Sequence, residues 1–286
     1  MSENKDQKKI IPKRIIANRI KRKVRRQQLL LRRLRVIIRI LLIFFLIYFS
    51  YRLVNLHYWY FSSDILNSKP LTKHVKIYGN NITPNYQIIS ALRQVEIPNK
   101  PIYLLDTKPF VNEILKLAPI KKVYITRFWL PTRLEVIIEE REPLILIAPG
   151  ENSQPVAFFT KDGVLIGRNY LNSVHNFDTI KVLSYGIHGD DYRKWDINKI
   201  KNIEILAQAI ETYSGEKLVY LDLRNPKDIY AKIESNLLRI GEFNNTLFKR
   251  IKSIKVILPE AKTLDKKIKY IDLRWDEARY IKLEEE

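Results

Sequence analysis

The stretch "LPTRLEVIIEEREPL", Leu130 to Leu144, sets Glu135, Glu139, Glu140 and Glu142 among Arg133, Arg141 and an apolar run. Carboxylates in close pairs are what general acid/base chemistry requires, so an acid/base site is the first reading to test. If the segment is a strand, Leu134, Val136 and Ile138 share one face with Glu140, while Glu135, Ile137 and Glu139 share the other. Glu139 and Glu140 then diverge. Glu135 and Glu139 lie about 13 Å apart along one face at about 3.3 Å per residue, too far to act on one bond. The spacing therefore favours a charged strand over a catalytic pair. The other cluster with metal-ligand types is "HGDD", His188 to Asp191, whose glycine and paired aspartates are also ordinary turn chemistry. His57, His74, His175 and His188 are far apart in sequence, and there is no cysteine to serve as a thiolate nucleophile, disulfide or zinc ligand. No HExxH, GxSxG or P-loop pattern occurs. Accordingly no catalytic, cofactor-binding or metal-binding residues are expected, and the protein is read as a non-enzyme.

The elements around these residues start with a basic tail. Residues 1–39 hold 15 Lys/Arg against 2 acids, so most of the formal net charge of +20 sits there. Ile40 to Tyr51 then run uncharged for twelve residues, and residues 40–61 approach the roughly 20 residues that a bilayer span needs. Arg39 can snorkel to one surface and Arg52 to the other, with Tyr58, Trp59 and Tyr60 as the aromatic belt. By the positive-inside rule the tail is cytoplasmic and the bulk of the chain extracytoplasmic. The tail is expected to contact membrane lipid; no nucleic-acid partner is expected, since no aromatic residue precedes Phe44 to stack on bases.

After a linker at 62–74, the segment from Val75 reads as strand, helix, helix, strand, strand. "VKIYGN" alternates. Thr83 and Pro84 read as N-cap and first helical residue ahead of Ile88, Leu92 and Val95. A second helix is expected from about Asp106, with Phe110, Ile114 and Leu117 on one stripe and Pro119 closing it. "IKKVYITRFW" and the opening stretch are the last two strands. In "PVAFFTKDGVLIG", Asp162-Gly163 marks a hairpin, and Ile200, Ile203, Leu206 and Ile210 mark a helix from about Asp196 to Tyr213. "KLVYLDLRNPKDIYAKIE" reads as two strands around Asn225-Pro226. A last helix puts Leu247, Ile251, Ile254 and Leu258 inward and Lys249, Arg250, Lys252 and Lys255 outward. "KIKYIDLRWDEARYIKLEEE" reads as two strands around Asp276-Glu277-Ala278.

Val75, Ile77 and Gly79, the two helices, Pro119 before Val123, Leu130-Pro131, Leu134, Val136 and "EEREP", followed by the "DGV" hairpin and "YIDLRW", resemble the bacterial cell-division family FtsQ, called DivIB in Gram-positive bacteria. The resemblance implies an α+β chain. Its order is a cytoplasmic tail at 1–39, a transmembrane helix at 40–61, a linker at 62–74, a POTRA domain (β-α-α-β-β) at 75–148 and a second β-rich domain with helices at 149–286. It further implies a divisome scaffold at the septum of the plasma (inner) membrane, binding FtsB/FtsL-like bitopic coiled-coil proteins and an upstream recruiter such as FtsK. The positions matching the family's partner-binding C-terminus are Arg274, Trp275, Tyr280, Ile281 and Leu283. Trp275 stands where tyrosine is more usual, and Ala278 near a usual turn glycine. The strand Val123 to Trp129, through Val123, Ile125, Arg127 and Trp129, is implied as a recruitment surface. Tyr280 and Ile281 face opposite ways in a strand, so at most one is core. The alternative reading is a membrane-anchored POTRA-type module for envelope protein transport or assembly.

Overall fold

The computed structural model describes residues 13–61, 66, 74–98, 100–187, 191–264, 268–275 and 280–283. Helix α1 (Lys13–Val54) is 42 residues, about 63 Å at about 1.5 Å per residue. Its part Lys21–Val54 is long and apolar enough to cross a membrane, and the apolar side chains from Val36 to Val54 are exposed. The α-helix stops at Val54, short of the expected 61, and one 3₁₀ turn follows at His57–Trp59. At the helix end Asn55 Nδ2 donates to Tyr51 O at 2.9 Å and Trp59 Nε1 to Leu53 O at 2.5 Å, alongside the backbone bonds from Asn55 N and Leu56 N to the same carbonyls. Phe61, only 1% exposed, lies in the core of the next domain, as does Leu66 from the expected linker. The remainder of 62–73 lies outside the described residues.

That domain is the expected strand, helix, helix, strand, strand. Strands β1 (Val75–Tyr78), β2 (Ile120–Trp129) and β3 (Thr132–Glu140) form a sheet in the order β1-β3-β2, with β1 parallel and β2 antiparallel to β3. Helices α2 (Asn85–Arg93) and α3 (Lys108–Leu115) cover one face. Ile88, Leu92, Phe110 and Ile114 pack there on Leu134, Val136 and Ile138, each worth about 1.5–3 kcal/mol of burial. Gly79 has φ 83°, and a Cβ there would lie 2.1 Å from Ile138 O, so only glycine fits this turn. Thr83 does not cap α2, which begins one residue later than expected, after Pro84. Instead the Glu140 carboxylate accepts from the backbone N–H of Asn81, Ile82 and Thr83 at 2.6, 2.7 and 2.6 Å.

Beyond Glu140 the chain changes sheet. Strand β4 (Pro143–Ala148), which lies inside the 75–148 expected for the POTRA domain, pairs with β5 (Ala157–Thr160) and β7 (Ile180–Leu183). The second domain therefore starts near residue 142, not 149. With β6 (Leu165–Gly167), β8 (Leu218–Asp222), β9 (Ile229–Ile233), β10 (Leu237–Gly241), β11 (Ile268–Asp272) and β12 (Tyr280–Leu283) it forms a nine-stranded sheet, ordered β12-β11-β10-β9-β8-β7-β4-β5-β6. The expected hairpin turns at Gly163, φ 85°. Helices α4 (Ile197–Ser214), capped by Asp196 Oδ1 on Lys199 N at 2.8 Å, and α5 (Leu247–Lys262) pack together against one sheet face.

On α5, Arg250 is a correction. It was expected outward with its basic neighbours, yet it is 6% exposed, its guanidinium donating to Ile240 O, Glu242 O and Asn244 Oδ1 at 2.6–2.7 Å. The two domains are tied together. Ile82 of the first domain is buried among Phe158, Ile166, Leu171 and Val174 of the second. Arg141 bonds to Ala118 O of the first domain and pairs with Asp162 of the second.

Candidate functional site

The four carboxylates of the opening stretch each have a separate partner. Glu135 pairs with Arg133 at 3.1 Å, Glu139 with Lys122 at 3.0 Å, and Glu142 with Lys161 at 2.5 Å, while Glu140 holds the 81–83 backbone. The Lys161 ammonium holds the Glu142 carboxyl below its usual range, and Glu139 raises Lys122. No two of them converge on a common cleft. Among the described residues no group of three or more His, Cys, Asp or Glu could hold a metal ion. His188, Gly189 and Asp190 of "HGDD" lie outside the described residues, and Asp191 Oδ1 accepts from Arg193 N at 3.2 Å, as in a turn.

The C-terminal candidate is built on the β11–β12 edge. β11 lies parallel to β10, with Arg239 opposite Asp272 and Leu238 opposite Ile271. β12 pairs antiparallel with β11, Tyr280 opposite Asp272 and Ile281 opposite Ile271. It is the terminal strand of the sheet among the described residues, so its outer backbone groups form an edge. Asp272, 5% exposed, accepts from Arg274 N at 3.1 Å, Nε at 2.9 Å and Nη2 at 2.8 Å, which fixes the arginine as it leaves the strand. Arg239 links this pair inward, with Nη1 3.6 Å from Asp272 and a two-pronged bond to Asp228 at 2.9 and 2.6 Å. Its guanidinium also lies 5.6 and 5.7 Å from the Tyr230 and Tyr270 rings, which meet edge to face. Hydrogen bonding from Arg239 holds the Asp228 carboxyl below its usual range, and Asp272 raises Arg274. Gly241, φ 80°, allows Arg274 this close: a Cβ would meet its Cγ at 2.8 Å.

Arg274 sits 5.9 Å from the Trp275 ring, and Trp275 is 60% exposed. A held arginine beside an exposed tryptophan, next to an open strand edge, is the chemistry of a protein-binding hot spot and of strand addition. Of the residues expected to bind a partner, Arg274 and Trp275 close β11, and Tyr280, Ile281 and Leu283 form the adjoining strand. Ile281 packs partly buried against the sheet's core, so that side chain is turned inward. Residues 276–279, which include the expected Asp276-Glu277-Ala278 turn, lie outside the described residues. The sequence did not signal Asp228 and Arg239, which brace Asp272 and Arg274 from a strand pair some forty residues upstream; only the alternation of Tyr230 and Arg239 with apolar neighbours hinted at that face.

The POTRA candidate is β2, an edge strand. Val123 is buried and Ile125 partly buried in the domain core. Arg127 Nη1 donates to Leu105 O at 2.6 Å and Tyr103 O at 3.2 Å. Trp129 stacks on Trp59, centroids 4.8 Å apart. Of the four expected recruitment residues, two face the core and two hold neighbouring segments, while Tyr124 is exposed and β2 ends its sheet among the described residues.

An apolar helix long enough to cross a bilayer, followed by a strand-helix-helix-strand-strand domain and a large mixed sheet, is compatible with a single-pass, membrane-anchored POTRA protein. Residues 71–141 match the family model "POTRA domain, FtsQ-type". This match covers about a quarter of the chain and supports its resemblance to the FtsQ/DivIB family. No curated protein sequence matches it significantly.

Proposed function

We propose that this protein is a non-enzymatic scaffold of the cell-division machinery. With the basic end of α1 in the cytoplasm against anionic lipid, both domains lie outside the plasma membrane. There they gather other single-pass division proteins at the septum. The observation that carries this reading is the open edge of β12 beside the braced Arg274 and exposed Trp275, in a chain with an FtsQ-type POTRA domain. An extended segment from an FtsB/FtsL-like coiled-coil partner would add to β12 and seat a side chain against Trp275. The edge of β2, with Tyr124 rather than Val123 or Ile125, would meet an upstream recruiter such as FtsK. Trp275→Ala, and a chain ending at Ala278, are expected to lose capture of the FtsB/FtsL-like partner from cross-linked cells while the POTRA domain stays folded. Undiminished capture by the shortened chain would refute the assignment.

A further inference from the structure

Where α1 ends, three separate segments meet in one apolar cluster. The first is the chain after the helix, in which Trp59 folds back to bond Leu53 O at 2.5 Å and Tyr58 is 82% exposed. The second is the β2–β3 tip, where Trp129, stacked on Trp59, is 57% exposed and Leu130 is 74% exposed. The third is the 102–104 turn, clamped to β2 by Arg127, with Leu104 61% exposed. Leu53, Val54, Trp59, Tyr103 and Trp129 line an open, shallow notch of about 400 Å³. Thr132 Oγ1 bonds to Tyr58 O and His74 Nδ1 lies 2.9 Å from Thr132 O, so the hairpin tip is tied to the helix exit.

Large apolar side chains clustered this way on a surface mark an interaction site. The height of the cluster names its occupant. The 19 residues Val36–Val54 rise about 28 Å, close to the roughly 30 Å of a bilayer's hydrocarbon core. That alignment brings Arg39 and Arg52 within a turn or so of opposite surfaces, where each can reach headgroups. Trp59 and the Trp129 ring stacked on it then fall at the far interface, where tryptophan and tyrosine are most favourable.

We propose that the β2–β3 tip and the 103–104 turn are a second membrane contact. In this arrangement Leu130, Leu104 and Trp129 insert into the headgroup–acyl boundary of phospholipid beside the exit of α1, and a lipid chain occupies the notch. The POTRA domain is then held against the bilayer instead of swinging on a linker, with β2 rising from the surface. This rests on α1 spanning the membrane.

The chain has no cysteine, so single-site labelling is direct. Leu130→Cys, Leu104→Cys, Ile47→Cys at mid-helix and Lys121→Cys, eight residues up β2 and about 26 Å from Trp129, all replace exposed residues. The full chain, carrying a polarity-sensitive fluorophore at one of them, is reconstituted in phosphatidylethanolamine/phosphatidylglycerol vesicles with and without lipid nitroxide-labelled near the headgroup. Labels at Leu130, Leu104 and Ile47 are expected to lose fluorescence about twofold or more, and the one at Lys121 little. Quenching at Ile47 with none at Leu130 and Leu104 overturns the second contact and leaves the span intact. No quenching at Ile47 overturns the span and this inference with it. A blue-shifted but unquenched label at Leu130 overturns it in favour of a covering protein, such as a second copy.

Discussion

Replacing Glu140 with alanine removes the acceptor for three backbone N–H groups at once, those of Asn81, Ile82 and Thr83, at 2.6–2.7 Å. Asn81 N–H can turn to water, but the bonds to Ile82 and Thr83 are part-buried. Hydrogen bonds to a charged group contribute about 1.5–3 kcal/mol each, and a buried donor left unmade costs about 1–3 kcal/mol. Counting the two sheltered donors and discounting for water that enters the shortened site, Glu140→Ala should cost about 2–4 kcal/mol. The same carboxylate fixes the loop that inserts Ile82 into the second domain, so both domains should lose stability together. The neighbouring Glu139 has a side chain 44% exposed and pairs with surface lysines, and Glu139→Gln should change stability by less than about 0.5 kcal/mol. Urea unfolding of the full chain in micelles, followed by tryptophan fluorescence, separates the two. With a urea slope of about 3 kcal/mol/M, Glu140→Ala should lower the midpoint by about 1 M and Glu139→Gln by almost nothing. Equal shifts from the two variants would refute the face assignment of β3 and the role of Glu140.

Val136 is 0% exposed, so Val136→Asp buries an unpaired charge and should cost several kcal/mol, visible as loss of the cooperative unfolding transition. Asp228 has its folded-state pKa lowered by Arg239, so the contribution of this pair is fully present above the unfolded carboxyl value of about 3.9. It is lost as pH falls through the lower folded value. Arg239→Gln should therefore flatten the acid side of a stability-versus-pH curve, and an unchanged acid limb would count against the network. A reporter that works only outside the cytoplasm should be active when fused after Glu286 and inactive before Ser2; the reverse would contradict the positive-inside reading. Neutralising Lys21, Arg22, Lys23, Arg25, Arg26, Arg32, Arg33 and Arg35 should weaken that orientation without unfolding residues 75 to 283.

Local periodicity made most elements legible, including the POTRA order, the Asp162-Gly163 hairpin and both helices of the second domain. What it missed came from contacts distant in sequence. Alternation placed Glu140 on the inner face of β3, but its donors belong to a loop 57 to 59 residues earlier, which no local pattern links to it. Arg250 sits on the same stripe as Leu247, Ile251 and Ile254, so helical period pointed inward while its charge argued outward. The open carbonyls of Ile240 and Glu242 decided the matter. The strand β4 was not read as a separate element within 75–148, because its place depends on parallel pairing with β7, some 35 residues on. Phe61 looked like the end of an apolar span because composition cannot tell lipid from a protein core. At the C-terminus, "YIDLRW" pointed to Arg274 and Trp275, whereas the Asp228–Arg239 brace required knowledge of the β9–β10–β11 order.

The scaffold assignment is tested most directly by depleting the chain in its own cells, while a fluorescent fusion before Ser2 reports its position. The account predicts a band of fluorescence at the division site before constriction, and on depletion long undivided filaments with segregated nucleoids. Rescue is expected from the intact chain but not from Trp275→Ala. Uniform membrane fluorescence together with normal division after depletion would contradict it.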